Sequence, residues 1–355
     1  MILICSKLPI STIGGVEKVV QQYSNALSHQ EQIVLLTYSS EKKLRIKKFG
    51  RKLAIEAPYL FRLGSYSFSF SYFYFLLRLS RRARIINTHV PFPLVAEFIS
   101  LFLFKKCIMT WHADIPKNTL LSSILNISHS LAMHRMSKVI FTSDFYKKKY
   151  DRIQYKSEVV SLWLDECDPE DNSCFSVPSK FILFLGRFGR YKGLDVLSEA
   201  LKDPRLDIIS FIIVGEGPFL PQELEARENV IVKQHFVSDS VKNFLFKNCH
   251  LFVLPSTDEG EAFGITQLEA LREGKPVINT NLDSGVPYVS KHMISGLTVK
   301  VGDPKALVEA ILLLWENDEI YKTLQSGAKL RYAQLFNKDN SIKKLEHIFG
   351  DENGR

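Results

Sequence analysis

Short apolar runs alternate with amphipathic stretches from the beginning of the chain onward. The first apolar run, Ile2–Cys5, is followed by the glycine pair Gly14-Gly15 and then by the amphipathic segment Val16–Ser28. Ile33–Thr37 and Arg84–Thr88 are predicted as further buried strands, and each is followed by sequence that is compatible with a helix. Because strands that alternate with helices assemble into parallel sheets with crossover helices, this pattern predicts an α/β fold.

A second alternating series follows a change in composition. Around Asp165–Lys180, acidic residues, proline, asparagine and serine crowd together without apolar periodicity, which indicates an interdomain linker. Further strands are predicted at Phe181–Leu185, Ile208–Val214, Val230–Val232, Leu251–Leu254, Pro276–Asn279 and Leu297–Val301, before a helical C-terminal stretch. We therefore predict two Rossmann-like, doubly wound domains, at residues 1–170 and 175–333. Ligands of such sheets bind beyond the carboxyl ends of the strands, so we expect the site in a cleft between the domains.

The length and charge agree with two globular domains and an anionic partner. A chain of 355 residues is too long for one ordinary domain. Its 46 Lys+Arg against 38 Asp+Glu give a formal net charge of +8. This excess favours nucleotide phosphates, acidic lipid head groups or nucleic acid as partners, or it reflects only a solvated basic surface.

The cysteines and the longest apolar segments predict a cytoplasmic protein that does not span a membrane. The sequence around Ile2–Cys5 lacks a basic region with a cleavage site, so we interpret it as a strand rather than a signal peptide. Tyr66–Leu77 and Phe92–Phe104 are shorter than the roughly 20 residues of a membrane helix. The five cysteines are scattered and include no Cys-x-x-Cys pair, so they suggest neither a disulfide framework nor a zinc site. They are Cys5, Cys107, Cys167, Cys174 and Cys249.

The segment from Leu251 to Ala270 carries candidate chemistry. Its strand ends at Pro255, a polar loop follows, and a helix is predicted to begin near Gly264. Free amides at a helix start, beside a glycine, form a natural seat for phosphate. Glu261 in the loop and Glu269 inside the helix could hold hydroxyl groups by charge-assisted hydrogen bonds, although such glutamates also serve as caps or solvated charges.

A second candidate segment, Gly186–Gly193, directly follows the strand Phe181–Leu185. Arg187 offers a planar fork and Lys192 a point charge, so both could face a diphosphate from a strand-to-helix loop. The alternative is a glycine-rich turn with surface cations.

Together with Val214–Pro218, these two segments resemble the retaining nucleotide-sugar glycosyltransferases of glycosyltransferase family 4, which have the two-domain GT-B fold. In the N-terminal half, Gly14–Lys18 resembles the family's glycine-rich first loop, and Thr110–Asp114 resembles its catalytic-histidine segment. The similarity extends from Ile2 to about Asp303. It also implies C-terminal crossover helices, at about residues 335–350, that pack on the N-terminal domain.

The resemblance implies a role for each matching residue. Arg187 and Lys192 would neutralise the departing diphosphate, Glu261 would contact the transferred sugar, and Glu269 would bind the ribose. His112 would lie near the sugar and the acceptor, although without the resemblance this position favours a hydrogen-bonded core histidine. The departing phosphate would assist deprotonation of the acceptor hydroxyl. The remaining donor-binding residues implied by the resemblance are Gly15, which lets the first loop approach the phosphates, and Gly215, Phe263, Gly264 and Ile265.

We expect neither a metal nor another cofactor. The sequence has no Asp-x-Asp pair, its histidines lack zinc-site spacing, and Arg187 with Lys192 supplies positive charge. The donor would be a GDP-sugar or a UDP-sugar. Ala262 and Tyr288 depart from the common family pattern, in which many members have glycine at the first position and glutamate is frequent at the second. The variant resembles a subgroup that builds bacterial surface polysaccharides, such as O-antigen or capsule, from mannose-like sugars.

The acceptor side has its own candidate surface. Tyr66–Arg84 combines an aromatic run with four arginines, and Lys105-Lys106 and Lys147–Lys149 add charge to the same half. This pattern suits a helix lying on an anionic membrane surface, at the inner face of the cytoplasmic membrane, where a lipid-linked glycan acceptor would be reached. The alternative is a core helix flanked by solvated arginines. Nucleic-acid binding would leave the other motifs unexplained.

Alternatives to transfer stay open from the sequence. The same fold also serves sugar-nucleotide epimerases and glycogen-synthase-like polymerases, and a nucleotide-sugar-binding protein without turnover would conserve the donor contacts.

Overall fold

The computed structural model describes residues 1–9, 12, 14–63, 66–103, 106–115, 120–150, 153, 156–166 and 176–350. Cys167, Cys174, Lys105 and most of the predicted linker lie outside this described part. The chain divides into two compact units, Met1–Leu162 with Asp339–Arg355, and Trp163–Lys338. Within the described part, no helix combines the length and apolar character needed to cross a membrane.

The first unit contains an eight-stranded sheet with strand order β10-β9-β8-β7-β1-β2-β4-β3 among its described residues. Every pairing is parallel except β3 with β4. A separate antiparallel pair, β5 and β6, precedes the second helix. The strands are β1 (Ile2–Cys5), β2 (Ile33–Tyr38), β3 (Arg45–Phe49), β4 (Lys52–Ala57), β5 (Phe61–Leu63), β6 (Tyr66–Phe68), β7 (Ile85–Val90), β8 (Lys106–Trp111), β9 (Lys138–Phe141) and β10 (Ser157–Val159).

Helices pack against this sheet, and buried Leu3, Ile86, Met109 and Phe141 belong to one apolar core. The C-terminal helix belongs to this unit by its contacts, and Gln30 Nε2 donates a hydrogen bond to Glu346 Oε1 at 3.1 Å. The helices are α1 (Gly15–Leu27), α2 (Phe70–Ser80), α3 (Val95–Phe102), α4 (Leu120–Arg135), α5 (Asp144–Lys149) and, at the C-terminus, α13 (Lys338–Gly350).

The second unit contains a six-stranded, fully parallel sheet in the order β13-β12-β11-β14-β15-β16. This is the Rossmann order, in which the chain winds outward from β11 in both directions. Its strands are β11 (Phe181–Leu185), β12 (Ser210–Val214), β13 (Val230–Lys233), β14 (Leu251–Leu254), β15 (Val277–Thr280) and β16 (Gly296–Val299). Its helices are α6 (Leu194–Ala200), α7 (Gln222–Glu225), α8 (Asp239–Asn248), α9 (Ile265–Arg272), α10 (Val286–Val289), α11 (Pro304–Glu316) and α12 (Asp318–Leu335).

Two sequence predictions need correction. The aromatic run from Tyr66 is not one helix, because residues Tyr66–Phe68 form β6 and α2 begins only after Ser69. The Ser69 hydroxyl accepts a hydrogen bond from the Tyr72 amide at 3.0 Å, a helix N-cap that fixes this boundary. The strand predicted from Ile208 begins at Ser210, since a 3₁₀ turn at Pro204–Leu206 leaves Ile208 exposed.

Candidate active site

In the second unit, the loop after β11 folds onto the end of β14. After Gly189 the chain makes a short 3₁₀ turn at Arg190–Lys192 and leaves it through Gly193, which has a φ of 69°. A Cβ on Gly193 would lie 1.9 Å from the Pro255 carbonyl oxygen, so only glycine permits this approach. The Thr257 amide also donates to the Tyr191 carbonyl at 2.8 Å. The two loops at the centre of the sheet are therefore joined.

This junction brings Lys192 and Glu261 together as a buried ion pair. Lys192 is 7% exposed and Glu261 is 8% exposed, and the Lys192 ammonium contacts Glu261 Oε2. The Ser256 hydroxyl donates to the same oxygen at 3.3 Å. Burial by itself lowers the pKa of Lys192, but the charge of Glu261 and its hydrogen bond outweigh burial, so this pKa is raised. Lys192 therefore carries its positive charge at neutral pH.

The start of α9 adds unpaired backbone amides next to this pair. Gly264, the residue before α9, has a φ of 70°, and a Cβ there would lie 2.7 Å from Leu254 Cδ2. Within the described residues, the N–H groups of Phe263, Gly264 and Ile265 form no hydrogen bond. The preceding carbonyl, that of Ala262, accepts from the Gly285 amide at 2.8 Å and holds the loop in place. Amides free at a helix start can bind an anion.

Glu269 has a partner that sequence reasoning missed. It is 7% exposed inside α9, and Lys242 Nζ of α8 lies 3.5 Å from its Oε1. Lys242 also pairs with Asp239 one turn earlier. Burial lowers the pKa of Lys242, but Glu269 and Asp239 outweigh burial and raise it. No sequence signal links residues so far apart, because their meeting depends on the packing of α8 on α9.

The other predicted donor residues divide into exposed and packed ones. Arg187 is exposed, and its side chain forms no hydrogen bond or ion pair with the described residues, so the guanidinium is available to a ligand. Gly215 has a packing reason to be glycine, since a Cβ there would lie 1.8 Å from the Gly186 carbonyl oxygen. In the first unit, Gly15 opens α1 and is exposed together with Gly14.

His112 follows β8 in the first unit and is 5% exposed. Its Nε2 lies 2.9 Å from Nδ1 of His89, a residue of β7 that sequence reasoning also missed. Burial lowers the pKa of His112 to about 3, and burial followed by the charge of His112 lowers the pKa of His89 well below its usual range. Both rings are therefore neutral at pH 7. The nearest sequence signal was the polar pair Asn87 and His89 in an apolar strand.

Asp114, two residues after His112, ties this loop to α5. Its Oδ1 accepts hydrogen bonds from Trp111 Nε1 at 3.1 Å and from the Tyr150 hydroxyl at 2.8 Å. Its Oδ2 lies 3.0 Å from Lys149 Nζ. Lys149, counted in the sequence as part of a basic surface, is thus a structural partner of Asp114. Across the described residues, no group of three or more His, Cys, Asp or Glu is arranged to hold a metal ion.

Comparison with known proteins identifies the class. Residues 13–166 match the model of Glycosyltransferase Family 4, and residues 172–331 match Glycosyl transferases group 1. The chain is 27% identical to O-antigen chain mannosyltransferase C of Escherichia coli, over 95% of this chain and 94% of that protein. It is 29% identical to D-rhamnosyltransferase WbpZ of Pseudomonas aeruginosa, over 92% of this chain and 89% of that protein.

The fold agrees with solved structures. Anabaena Alr3699/HepE in complex with UDP and glucose superposes with a TM-score of 0.75, at 17% identity and over 99% of both chains. The two Rossmann-like units and these matches define a glycosyltransferase of the GT-B fold. The chain belongs to glycosyltransferase family 4, which confirms the family and fold predicted from its motifs.

The histidine pair predicts a dependence of stability on pH. An unfolded histidine has a pKa near 6.5, whereas folded His112 has a pKa of about 3, so between these values the unfolded chain binds more protons. The unfolding free energy should therefore fall as the pH falls from 6.5 to 5, by at most about 1.4 kcal/mol per pH unit for each such histidine. Urea unfolding at several pH values measures this slope.

His112→Asn should flatten that slope, because the variant lacks one of the two groups. The matched control is His134→Asn, at an exposed position of α4 outside the pair, which should keep the slope of the unmodified chain. An unchanged slope in His112→Asn would contradict the assignment of a depressed pKa to His112.

Proposed function

We propose that this chain is a retaining, metal-independent glycosyltransferase that moves a mannose-like hexose from a GDP-sugar or UDP-sugar. The acceptor is a hydroxyl group of a growing, lipid-linked bacterial surface glycan. The buried Lys192–Glu261 pair at the centre of the second sheet is the observation that carries this proposal.

The pair supports a site for a departing diphosphate. The ammonium of Lys192 has three N–H donors and can donate to Glu261 and to phosphate oxygens together. Exposed Arg187 and the free amides of Phe263–Ile265 add donors on the same carboxyl edge. Charge that is already fixed in a buried position stabilises the departing phosphate more than the bound substrate, which is what accelerates transfer.

We infer a displacement at the anomeric carbon with retention of configuration. The bond between the sugar's anomeric carbon and the phosphate oxygen breaks, and its electron pair goes to the phosphate held by Lys192 and Arg187. The acceptor oxygen bonds to the anomeric carbon from the same face, and its proton passes to the departing phosphate. Glu261 contacts the transferred sugar, Glu269 binds the ribose, and His112 lies near the sugar.

Two lysine–carboxylate pairs support the absence of a metal requirement. Glu261 and Glu269 are the buried acidic residues of this edge, and each already has a lysine as its counterion. A divalent cation binding to either carboxylate would have to displace that lysine. Positive charge for the diphosphate is thus supplied by side chains.

The relatives support the choice of sugar and acceptor. One is an O-antigen mannosyltransferase and another a D-rhamnosyltransferase, so a mannose-like sugar and a surface glycan are the substrates we infer. These transferases also favour transfer over epimerisation or mere binding. At Tyr288, where many members have glutamate, this chain packs an arginine against the aromatic ring. The Arg331 guanidinium lies 5.5 Å from the Tyr288 ring centroid, and Arg331 Nε donates to the Val289 carbonyl at 2.8 Å.

Helix α2 supports docking to an anionic membrane. Phe70, Tyr74 and Leu77 are exposed at spacings of four and three residues, so they form one apolar stripe along the helix. Exposed arginines follow in and after its last turn at Arg78, Arg81 and Arg82. Apolar side chains that enter the lipid interface beside cations that meet its head groups are typical of helices that lie on membranes.

Replacing Lys192 should abolish most turnover. Lys192→Ala removes one fixed charge aimed at the leaving group, which costs on the order of 3 kcal/mol, or about a hundredfold or more in kcat. The matched control is Lys202→Ala, an exposed lysine paired with Glu199 in the same unit, which should keep full activity. Because Glu261 loses its counterion, thermal unfolding of the variant must be measured beside turnover. Near-normal kcat in Lys192→Ala would exclude the leaving-group role.

A thermal-shift screen with UDP, GDP, ADP, UDP-glucose and GDP-mannose tests the donor site directly. We expect nucleotides with one particular base, guanine or uracil, to raise the melting temperature of the protein. The rise should persist in EDTA, because lysine and arginine supply the positive charge. A rise that EDTA removes would show a metal requirement. No rise with any nucleotide, for a folded sample, would count against the transferase proposal.

Sedimentation with vesicles tests membrane docking. The chain should sediment with vesicles that contain anionic lipid and stay in solution with neutral ones, because arginine attraction is charge-dependent. Phe70→Ser combined with Leu77→Ser should reduce sedimentation severalfold. Ile208→Ser, at an exposed apolar position of the second unit, is the matched control and should have no effect. Equal sedimentation of the unmodified chain, the double variant and Ile208→Ser would show that α2 is not the docking surface.

A further inference from the structure

Two buried histidines meet across neighbouring parallel strands of the first unit. His89 is 1% exposed near the end of β7, and His112 directly follows β8. Their rings lie 5.1 Å apart with planes inclined by 20°, and His89 Nδ1 is 2.9 Å from His112 Nε2. This distance is that of a hydrogen bond, so one nitrogen must donate and the other must accept.

The neutrality of both rings limits the pair to two arrangements. A neutral imidazole carries one N–H and one bare nitrogen. If His89 donates from Nδ1, its Nε2 is bare and His112 carries its own proton on Nδ1. If His112 donates from Nε2, then His89 carries its proton on Nε2 and His112 Nδ1 is bare.

The surroundings of His89 decide between these arrangements. His89 Nε2 is fully enclosed and has no hydrogen-bond partner among the residues that the structure describes. The Tyr23 ring of α1 packs edge to face against His89, with centroids 5.5 Å apart, and helps to close the site to water. A buried N–H without an acceptor is rarer and more costly than an under-used acceptor. The proton of His89 therefore lies on Nδ1, and His89 donates to His112.

A second cross-strand bond steadies the same two strands. Asn87 Nδ2 of β7 donates to Thr110 Oγ1 of β8 at 2.9 Å, and the backbone register pairs His89 with Thr110. The His112 amide also donates to the Val90 carbonyl at 3.1 Å. The main chain of His112 is thus anchored to β7, and its ring is held by His89.

We propose that His89 is a positioning residue that fixes the tautomer of His112, so that His112 presents an N–H at Nδ1. His112 Nδ1 forms no hydrogen bond within the described part of the chain and is the nitrogen left for a substrate. Through it His112 donates a hydrogen bond to an oxygen of the sugar or of the acceptor, and it cannot accept the acceptor's proton there. This inference rests on the substrate-facing role of His112 given under Proposed function.

Nitrogen NMR of the histidines tests the tautomer without any substrate. In protein labelled with ¹⁵N-histidine, long-range proton–nitrogen spectra distinguish protonated from bare ring nitrogens. His89→Asn and His112→Asn each remove one ring and so assign the signals. We expect Nδ1 to be protonated and Nε2 bare in both rings at pH 7. A proton on Nε2 of either ring, or a doubly protonated ring, would overturn the proposal whether or not the chain turns over a sugar.

Two substitutions of His89 then test its effect on catalysis. The Asn amide nitrogen is as many bonds from the backbone as Nδ1, so His89→Asn retains a donor to His112, whereas His89→Leu has none. We expect His89→Leu to lower kcat about tenfold or more relative to His89→Asn. The KM for the donor, GDP-mannose or UDP-glucose, should stay within about twofold and the melting temperatures should match. Equal kcat values in the two variants would contradict the positioning role.

Discussion

The buried ion pair between Lys192 and Glu261 is the interaction on which the central loops of the second unit depend. Two charges held out of water are stable only while each has its partner, so the loops that carry them must stay together. Gly193 makes this possible, because its missing side chain lets the Lys192 turn lie on the carbonyl of Pro255. The same contact leaves the ammonium fixed and charged before any ligand binds.

The first unit uses a neutral pair where the second uses an ionic one. His89 and His112 are deeply buried, and desolvation keeps both without charge. Each unit places a buried side-chain pair at the carboxyl ends of adjacent parallel strands, β11 with β14 and β7 with β8. In both units, backbone topology alone brings together residues that are far apart along the chain.

The sequence predicts the strands that are uniformly apolar and the residues that lie in motifs. Phe181–Leu185 and Leu251–Leu254 have the observed bounds, because both faces of these strands are buried. The β3–β4 hairpin was missed, since Arg45–Phe49 is mostly exposed and basic. Lys242 and His89 were missed for another reason: each acts through a partner on a different element, and a linear sequence does not show which side chains meet.

That exposed hairpin bears on how the protein behaves at high concentration. Strand β3 is the last strand of its sheet, and a free strand edge can pair with the edge of another copy. Lys48 is exposed on this edge strand, as is Lys47, whose ammonium pairs with Glu56 at 3.6 Å, and both lie beside the exposed apolar side chains of Ile46 and Phe49. Two copies meeting edge to edge would bring like charges together at the closest approach. The strand thus carries its own protection against aggregation, in a part of the fold away from both buried side-chain pairs.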